Sequence, residues 1–114
     1  MSLPVTQHSE TFATIGQLMP EDLASVAAMG FQSVINNRPD GEGGPDQPTS
    51  AHMAQAAQAA GLTYAYLPVV AGMITADQAR AFAQWLAEQS GPVLAFCRSG
   101  ARSTQLRDMA RAFE

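Results

Sequence analysis

Four short apolar runs, Phe12–Ile15, Phe31–Ile35, Leu62–Leu67 and Val93–Phe96, recur along the chain with helix-type patterns between them. Each run is too short for a helix and has the β-branched and aromatic content of a strand. Between the first two lies a helix opened by Pro20, with Glu21 and Asp22 in its first turn and Leu23, Val26 and Ala27 on one face. Gly30 ends it. Thr49 or Ser50 caps a second helix to about Ala60, with Met53, Ala56, Ala57 and Ala60 on its face. Thr75 and Gln78 form a capping box for a third, to about Gln89, with the stripe Ala79, Phe82, Ala83 and Leu86. A last helix carries Leu106, Met109, Ala110 and Phe113. The order strand, helix, four times over, predicts an α/β three-layer sandwich with a mainly parallel central sheet.

The punctuation agrees with this reading. Asn36–Pro48 reads Asn-Asn-Arg-Pro-Asp-Gly-Glu-Gly-Gly-Pro-Asp-Gln-Pro, which is a loop by composition. Pro68 ends the third strand, and Val70-Ala71-Gly72-Met73 is a turn. Val93–Phe96 is a continuous apolar run, as expected of a central strand buried on both faces. In a parallel sheet the functional crevice lies beyond the carboxyl ends of the strands. Cys97 and the loop from Asn36 both fall at such ends. The length of 114 residues suits one domain over 1–114. Residues 1–9 are expected to be a flexible N-terminus or, at Met1-Ser2-Leu3, a partial cloning remnant, and the abrupt end after an amphipathic stretch reads as a trimmed chain.

Charge and cysteine content narrow the function. The net charge is −4 and lysine is absent, which argues against nucleic-acid binding. Four of the six arginines, Arg98, Arg102, Arg107 and Arg111, fall in the last seventeen residues. A local arginine cluster in an acidic chain suggests a site for a small anion. One cysteine excludes an internal disulfide and points to a reducing, cytoplasmic setting. No apolar run has the length of a membrane span, and no signal-peptide pattern opens the chain.

The segment Cys97-Arg98-Ser99-Gly100-Ala101-Arg102-Ser103 carries the chemistry. A strand that stops here and turns sharply into a helix leaves its loop amides pointing inward, as a nest for an anion. Gly100 permits the tight backbone. The helix adds its positive end, and Arg102 offers a planar two-pronged donor. The same field lowers the Cys97 pKa toward a thiolate, a nucleophile beside a bound oxyanion or persulfide. Ser103 is placed to donate a hydrogen bond to the sulfur. No cofactor is called for. With one cysteine and the scattered His8 and His52, no metal site is expected. His8 reads as exposed, Trp85 as packing at the core edge, and Arg107, Asp108 and Arg111 as a solvated helix face with an ion pair.

This loop resembles those of two families. One is the cysteine-dependent phosphatases, with cysteine, five residues, arginine, then serine or threonine. The other is the rhodanese sulfurtransferases, whose loop is shorter by one. Val34-Ile35-Asn36-Asn37-Arg38-Pro39-Asp40-Gly41-Glu42, Gly61-Leu62-Thr63-Tyr64, Leu67-Pro68-Val69 and Gly91-Pro92-Val93-Leu94 resemble the β-lactamase-hydrolase-like, phosphatase-like domain family over about residues 10 to 113. That resemblance implies a dual-specificity-phosphatase-like fold. It also implies attack by Cys97 on a phosphate monoester through a phosphocysteine, with Arg102 and the loop amides holding the phosphoryl oxygens. Ser103 would assist thiolate departure, and Arg98 and Ser99 would contribute mainly backbone. The implied partner is a phosphate- or sulfur-containing small molecule or a phosphoprotein. The family is also found joined to metallo-β-lactamase-type or sulfide-oxidising domains, which implies association with such enzymes.

The chain departs from the phosphatase pattern twice. Four residues, not five, separate Cys97 from Arg102. Phosphatases of this fold carry a general-acid aspartate after an upstream strand, and the matching segment Pro68–Met73 has no acid. Asp77, Asp40 and Glu42 are the alternative acids, with Arg38 a pocket residue or a support of its loop through Asp40. Rhodaneses carry an acidic-valine-arginine element and a Gly-His-Ile-Pro-Gly-like stretch, and neither is present. Two further readings therefore stand beside the phosphatase. One is a sulfurtransferase with a persulfide on Cys97. The other is a non-catalytic module that binds phosphate or sulfate.

Overall fold

The computed structural model describes residues 3–114. Met1 and Ser2, on which part of the expected cloning remnant falls, lie outside them. The strands are β1 (Thr6–Ser9), β2 (Phe12–Ile15), β3 (Ser33–Asn36), β4 (Thr63–Tyr66) and β5 (Val93–Phe96). The helices are α1 (Leu23–Ala28), entered through a 3-10 turn at Pro20–Asp22, α2 (Ser50–Ala59), α3 (Ala76–Ala87) and α4 (Ala101–Ala110), which runs into a 3-10 turn at Arg111–Phe113. The sheet order is β1-β2-β5-β3-β4, with β1 antiparallel to β2 and every other pair parallel. The α/β sandwich with a mainly parallel sheet is thus the observed fold.

Residues 6–9 differ from the expectation of a flexible terminus. They pair with β2 across a short turn, with Thr6 opposite Thr14 and a register shift between Gln7 and Ser9. A polar edge strand buries little apolar surface, so its sequence lacks the signal that marked the other four.

Alternation along the strands splits the core into two layers. Ala13, Ile15, Val34, Leu94 and Phe96 face α1 and α2, where they meet Leu18, Leu23, Val26, Met53 and Ala57. Phe12, Ile35, Val93 and Ala95 face α3 and α4, where they meet Ala79, Phe82, Ala83, Leu106 and Ala110. All four residues of β5 are buried, as suits a strand flanked on both edges and covered on both faces. Trp85 packs at the margin of the second layer. The capping box of α3 is formed, with Gln78 N–H donating to Thr75 Oγ1 at 3.1 Å and Thr75 N–H to Gln78 Oε1 at 2.9 Å.

The expected ion pair on the last helix is not formed among the described residues. Arg107 instead lies over the Phe12 ring, 5.2 Å from its centroid. Phe113, expected on the apolar face, is exposed and has Arg80 stacked over it at 4.9 Å.

The parallel register sets where the site falls. Ile15, Phe96, Asn36 and Tyr66 are aligned across β2, β5, β3 and β4. The chains leaving these strands, at Gly16, Cys97, Asn37 and Leu67, therefore emerge side by side along one edge of the sheet.

Candidate active site

Cys97 is the first residue after β5 and is almost wholly buried, at 1% exposure. The backbone then wraps its sulfur. Gly100 N–H donates to Cys97 Sγ at 3.1 Å. The amides of Ser103, Ser99 and Arg102 also point at it. Gly100 has φ +94°, which favours glycine, and a side chain there would also crowd the Ile15 carbonyl, with Cβ at 3.3 Å. The end of β2 braces the loop from beneath, with Gln17 N–H donating to Arg98 O at 3.2 Å. Burial pushes the Cys97 thiol up, but the loop amides outweigh it and hold its pKa below the ordinary thiol value. Arg98 and Ser99 are exposed, and Ser99 Oγ accepts from Ala101 N–H at 3.4 Å.

Arg102 sits in the first turn of α4 and is 8% exposed. Its end-on pair of nitrogens forks onto Glu42, with Nη1–H to Oε2 at 2.7 Å and Nη2–H to Oε1 at 2.6 Å. A further Nη1–H donates to Val69 O at 2.9 Å. Of the five N–H groups three are thus held. The remaining two, on Nε and Nη2, form the side-on edge, itself a fork of the spacing an oxyanion accepts.

Glu42 changes role from the expected one. It takes both Arg102 and Arg38, whose Nε–H donates to Oε1 at 2.9 Å. The Arg102 hydrogen bonds hold its pKa down to about 2 against a smaller upward push from burial, with Arg38 helping. A carboxylate so placed is ionised at neutral pH and has no proton to give. It orients Arg102 instead. Arg38 is buried, with Nη1–H donating to Gln17 Oε1 at 3.1 Å. It supports the loop through Glu42, not Asp40.

The other acid candidates are also engaged elsewhere. Asp40 Oδ1 accepts from Ser50 N–H at 2.8 Å, and its own N–H donates to Tyr66 Oη at 2.9 Å. It ties the long loop to the start of α2. Asp77 lies exposed in the first turn of α3 and pairs with Arg80 at 2.9 Å. The Pro68–Met73 turn contributes Val69 O to Arg102 and leaves Val70 and Met73 exposed.

The Ser103 hydroxyl does not donate to the sulfur. It donates to Asn37 Oδ1 at 2.8 Å, and its backbone amide serves Sγ. Asn37 is the residue that sequence reasoning missed. Fully buried, it donates from N–H to Phe96 O at 2.8 Å and from Nδ2–H to Leu67 O at 3.0 Å. It also accepts from Val69 N–H at 3.0 Å. One side chain and its backbone thus join β5, the turn after β4 and α4. A polar residue directly after an apolar strand was the available signal, but loop asparagines ordinarily serve turns. His8, expected to be exposed, is partly buried and bonds Thr14 Oγ1 at 2.8 Å. Among the described residues no group of three or more His, Cys, Asp or Glu side chains is placed to hold a metal ion. No helix among them is long and apolar enough to cross a membrane.

A parallel sheet flanked by helices, with a cysteine-arginine loop between its central strand and the last helix, defines a phosphatase-like domain. Residues 5–114 match the family described as β-lactamase hydrolase-like protein, phosphatase-like domain, and the chain belongs to that family. It is 42% identical over 106 residues to a β-lactamase hydrolase-like protein of Agrobacterium fabrum. That match covers 93% of this chain and 24% of the relative, so the chain spans about a quarter of the length of such relatives. A candidate phosphatase from Neisseria meningitidis superposes with a TM-score of 0.83 at 34% identity, over 91% of this chain and 73% of that one. TpbA of Pseudomonas aeruginosa, solved with phosphotyrosine, shares the fold at a TM-score of 0.68 and 20% identity, over 94% of this chain and 61% of that one.

Proposed function

We propose that this domain hydrolyses a phosphate monoester with Cys97 as nucleophile. The observation that carries the reading is the side-on edge of Arg102, left over by Glu42 and Val69 and turned toward a sulfur ringed by loop amides. The phosphoryl oxygens take that edge and the amides. The Cys97 thiolate forms an S–P bond as the P–O bond to the leaving group breaks. The departing oxygen takes its proton from solvent, since Asp40, Asp77 and Glu42 are committed elsewhere and Pro68–Met73 holds no acid. Water then attacks phosphorus, the S–P bond breaks, and phosphate leaves with the thiolate restored. Such a site favours aryl over alkyl phosphates, because a phenolate departs without help. The phosphotyrosine bound by TpbA is an aryl phosphate and supports an aryl ester as the substrate class.

The four-residue spacing favours a second reading, sulfur transfer. There the thiolate attacks the outer sulfur of thiosulfate and releases sulfite. The resulting Cys97 persulfide then passes its sulfur to a nucleophile such as cyanide. Sulfite departs without a proton, so this route needs no general acid. Association with metallo-β-lactamase-type or sulfide-oxidising domains in the longer proteins is part of the same proposal.

One preparation decides between them. p-Nitrophenyl phosphate hydrolysis that disappears in Cys97→Ser, with no thiocyanate from thiosulfate and cyanide, is the expected result. Cys97-dependent thiocyanate with negligible phosphate release overturns the hydrolase in favour of sulfur transfer. Anion binding with neither activity leaves a binding module.

A further inference from the structure

We propose that His8 is a positioning residue for the anion loop, acting through a directional hydrogen-bond relay across Thr14 and Thr104 to Gly100. The proposed directions start from the Thr104 hydroxyl proton on Gly100 O. Thr104 Oγ1–H donates to Gly100 O at 2.9 Å, so its single hydroxyl proton is spent. Thr104 Oγ1 lies 3.2 Å from Thr14 Oγ1 and in this arrangement accepts there. The Thr14 proton is then spent as well, so Thr14 Oγ1 accepts from His8, 2.8 Å from its Nε2. In the relay His8 carries its proton on Nε2, which also lies 3.5 Å from Thr104 Oγ1. Its ring is steadied by Phe12, 5.8 Å away between centroids.

The relay ends on the one loop residue whose backbone most needs holding. The Gly100 carbonyl accepts both the Thr104 hydroxyl and the Thr104 amide, the latter at 3.0 Å, while the Gly100 N–H donates to Cys97 Sγ. A glycine at positive φ has wide rotational freedom. Two bonds on its carbonyl fix its pose, and with it the aim of the N–H at the sulfur. Chained hydrogen bonds polarise one another, so each member strengthens the next. A strand that the apolar pattern does not reveal thereby acquires a role: β1 carries the histidine that anchors the nucleophile loop from behind.

The proposal rests on Cys97 as a working thiolate, and the test reads ionisation without substrate. The ultraviolet absorbance of the thiolate is titrated in the full chain, as the difference from Cys97→Ser. His8→Ala, Thr14→Val and Thr104→Val are each expected to raise the midpoint by about half a pH unit, the size of one modest hydrogen bond. The His8→Ala/Thr104→Val double variant is expected to shift it no further than the larger single change. Thr104→Ser, which keeps the hydroxyl, and His8→Gln, which keeps an N–H donor, are expected to titrate near the wild type. Among the described residues, Arg107 lies over the Phe12 ring that His8 also meets, and Arg102 with Glu42 beyond it faces the sulfur. All three charged groups are unchanged in these variants. An unshifted midpoint in His8→Ala, additive shifts in the double variant, or a Thr104→Ser that behaves as Thr104→Val each overturns the relay. Shifts as expected in a chain that turns over neither phosphate nor thiosulfate would uphold the relay and sink the catalytic reading alone.

Discussion

The loops that leave the sheet at Cys97 and at Asn37 meet at Arg102, yet they are built differently. The first is short and closed by its own backbone. Its amides turn onto Sγ because a positive-φ glycine and the start of α4 follow within a few residues. The second, from Asn37 to Thr49, has only backbone turns of its own and is tied down further by side chains: Arg38 on Glu42 and Gln17, Asp40 on Ser50, and Gln47 Nε2–H on Pro39 O. In the proposed reaction the short loop supplies the reacting atom. The long loop supplies the carboxylate that aims its arginine. The proposed nucleophile is thus encoded locally, while the orientation of Arg102 beside it comes from thirteen residues whose fold depends on the rest of the molecule.

The comparison can be broken most sharply at the junction. Arg102→Ala is expected to lower kcat/KM for p-nitrophenyl phosphate by about a hundredfold or more, because a charged fork at the transition state is lost. Arg102→Lys should recover little of it, since a point charge cannot occupy both Glu42 and a substrate edge. A lysine variant close to wild type would mean that the side-on edge is not used.

Asn37→Leu tests whether the two loops are joined through one buried amide. It leaves Ser103 Oγ and Leu67 O without their partner and is expected to cost about 2–4 kcal/mol in denaturant unfolding. Ser103→Ala should cost less, about 1 kcal/mol, because only the Asn37 Oδ1 contact is lost.

Glu42→Gln probes the long loop alone. Turnover is expected to fall by about tenfold as Arg102 loses its charged partner. The pH dependence of stability gives an independent reading. The Glu42 pKa is depressed on folding, from 4.5 to about 2. The folded form therefore binds fewer protons than the unfolded one between those values. Its stabilisation is complete above about 4.5 and is lost as the pH falls toward 2. Glu42→Gln should lack that acid-side component, visible as a flatter loss of Tm in that window. An unchanged acid limb would place Glu42 outside the ion-pair network.

The smallest effect is expected from Asp77→Asn. Its exposed pair with Arg80 should be worth about 0–1 kcal/mol, with turnover unchanged. A clear loss of rate on alkyl phosphates would restore Asp77 as an acid and remove the solvent-proton route.

Much of this was legible from residue order. Val93–Phe96 is the buried central strand over the same four residues that its apolar run predicts, since burial on both faces demands an unbroken run. Thr75 and Gln78 cap α3 because a capping box is a local device. Gly100 takes the positive φ that the sharp turn requires. β1 was not legible, because an edge strand of Thr-Gln-His-Ser satisfies its backbone by pairing with β2 rather than by burying side chains. The reassignment of Glu42 was not legible either: a glutamate among glycines and aspartates looks the same in sequence whether it faces water or two arginines.

Sequence alone determined the layer order, the ends of the central strand and a thiol placed where loop amides converge. These depend on periodicity and on turns a few residues long, which are local. Tertiary structure decided which edge of Arg102 is turned toward the sulfur, where the Ser103 proton points and why Asn37 is buried. Each of those turns on partners at least thirty residues apart in the chain: Arg102 with Glu42 and Val69, Ser103 with Asn37, and Asn37 with Leu67. Only the parallel register of β2, β5, β3 and β4 brings such partners to one edge of the sheet.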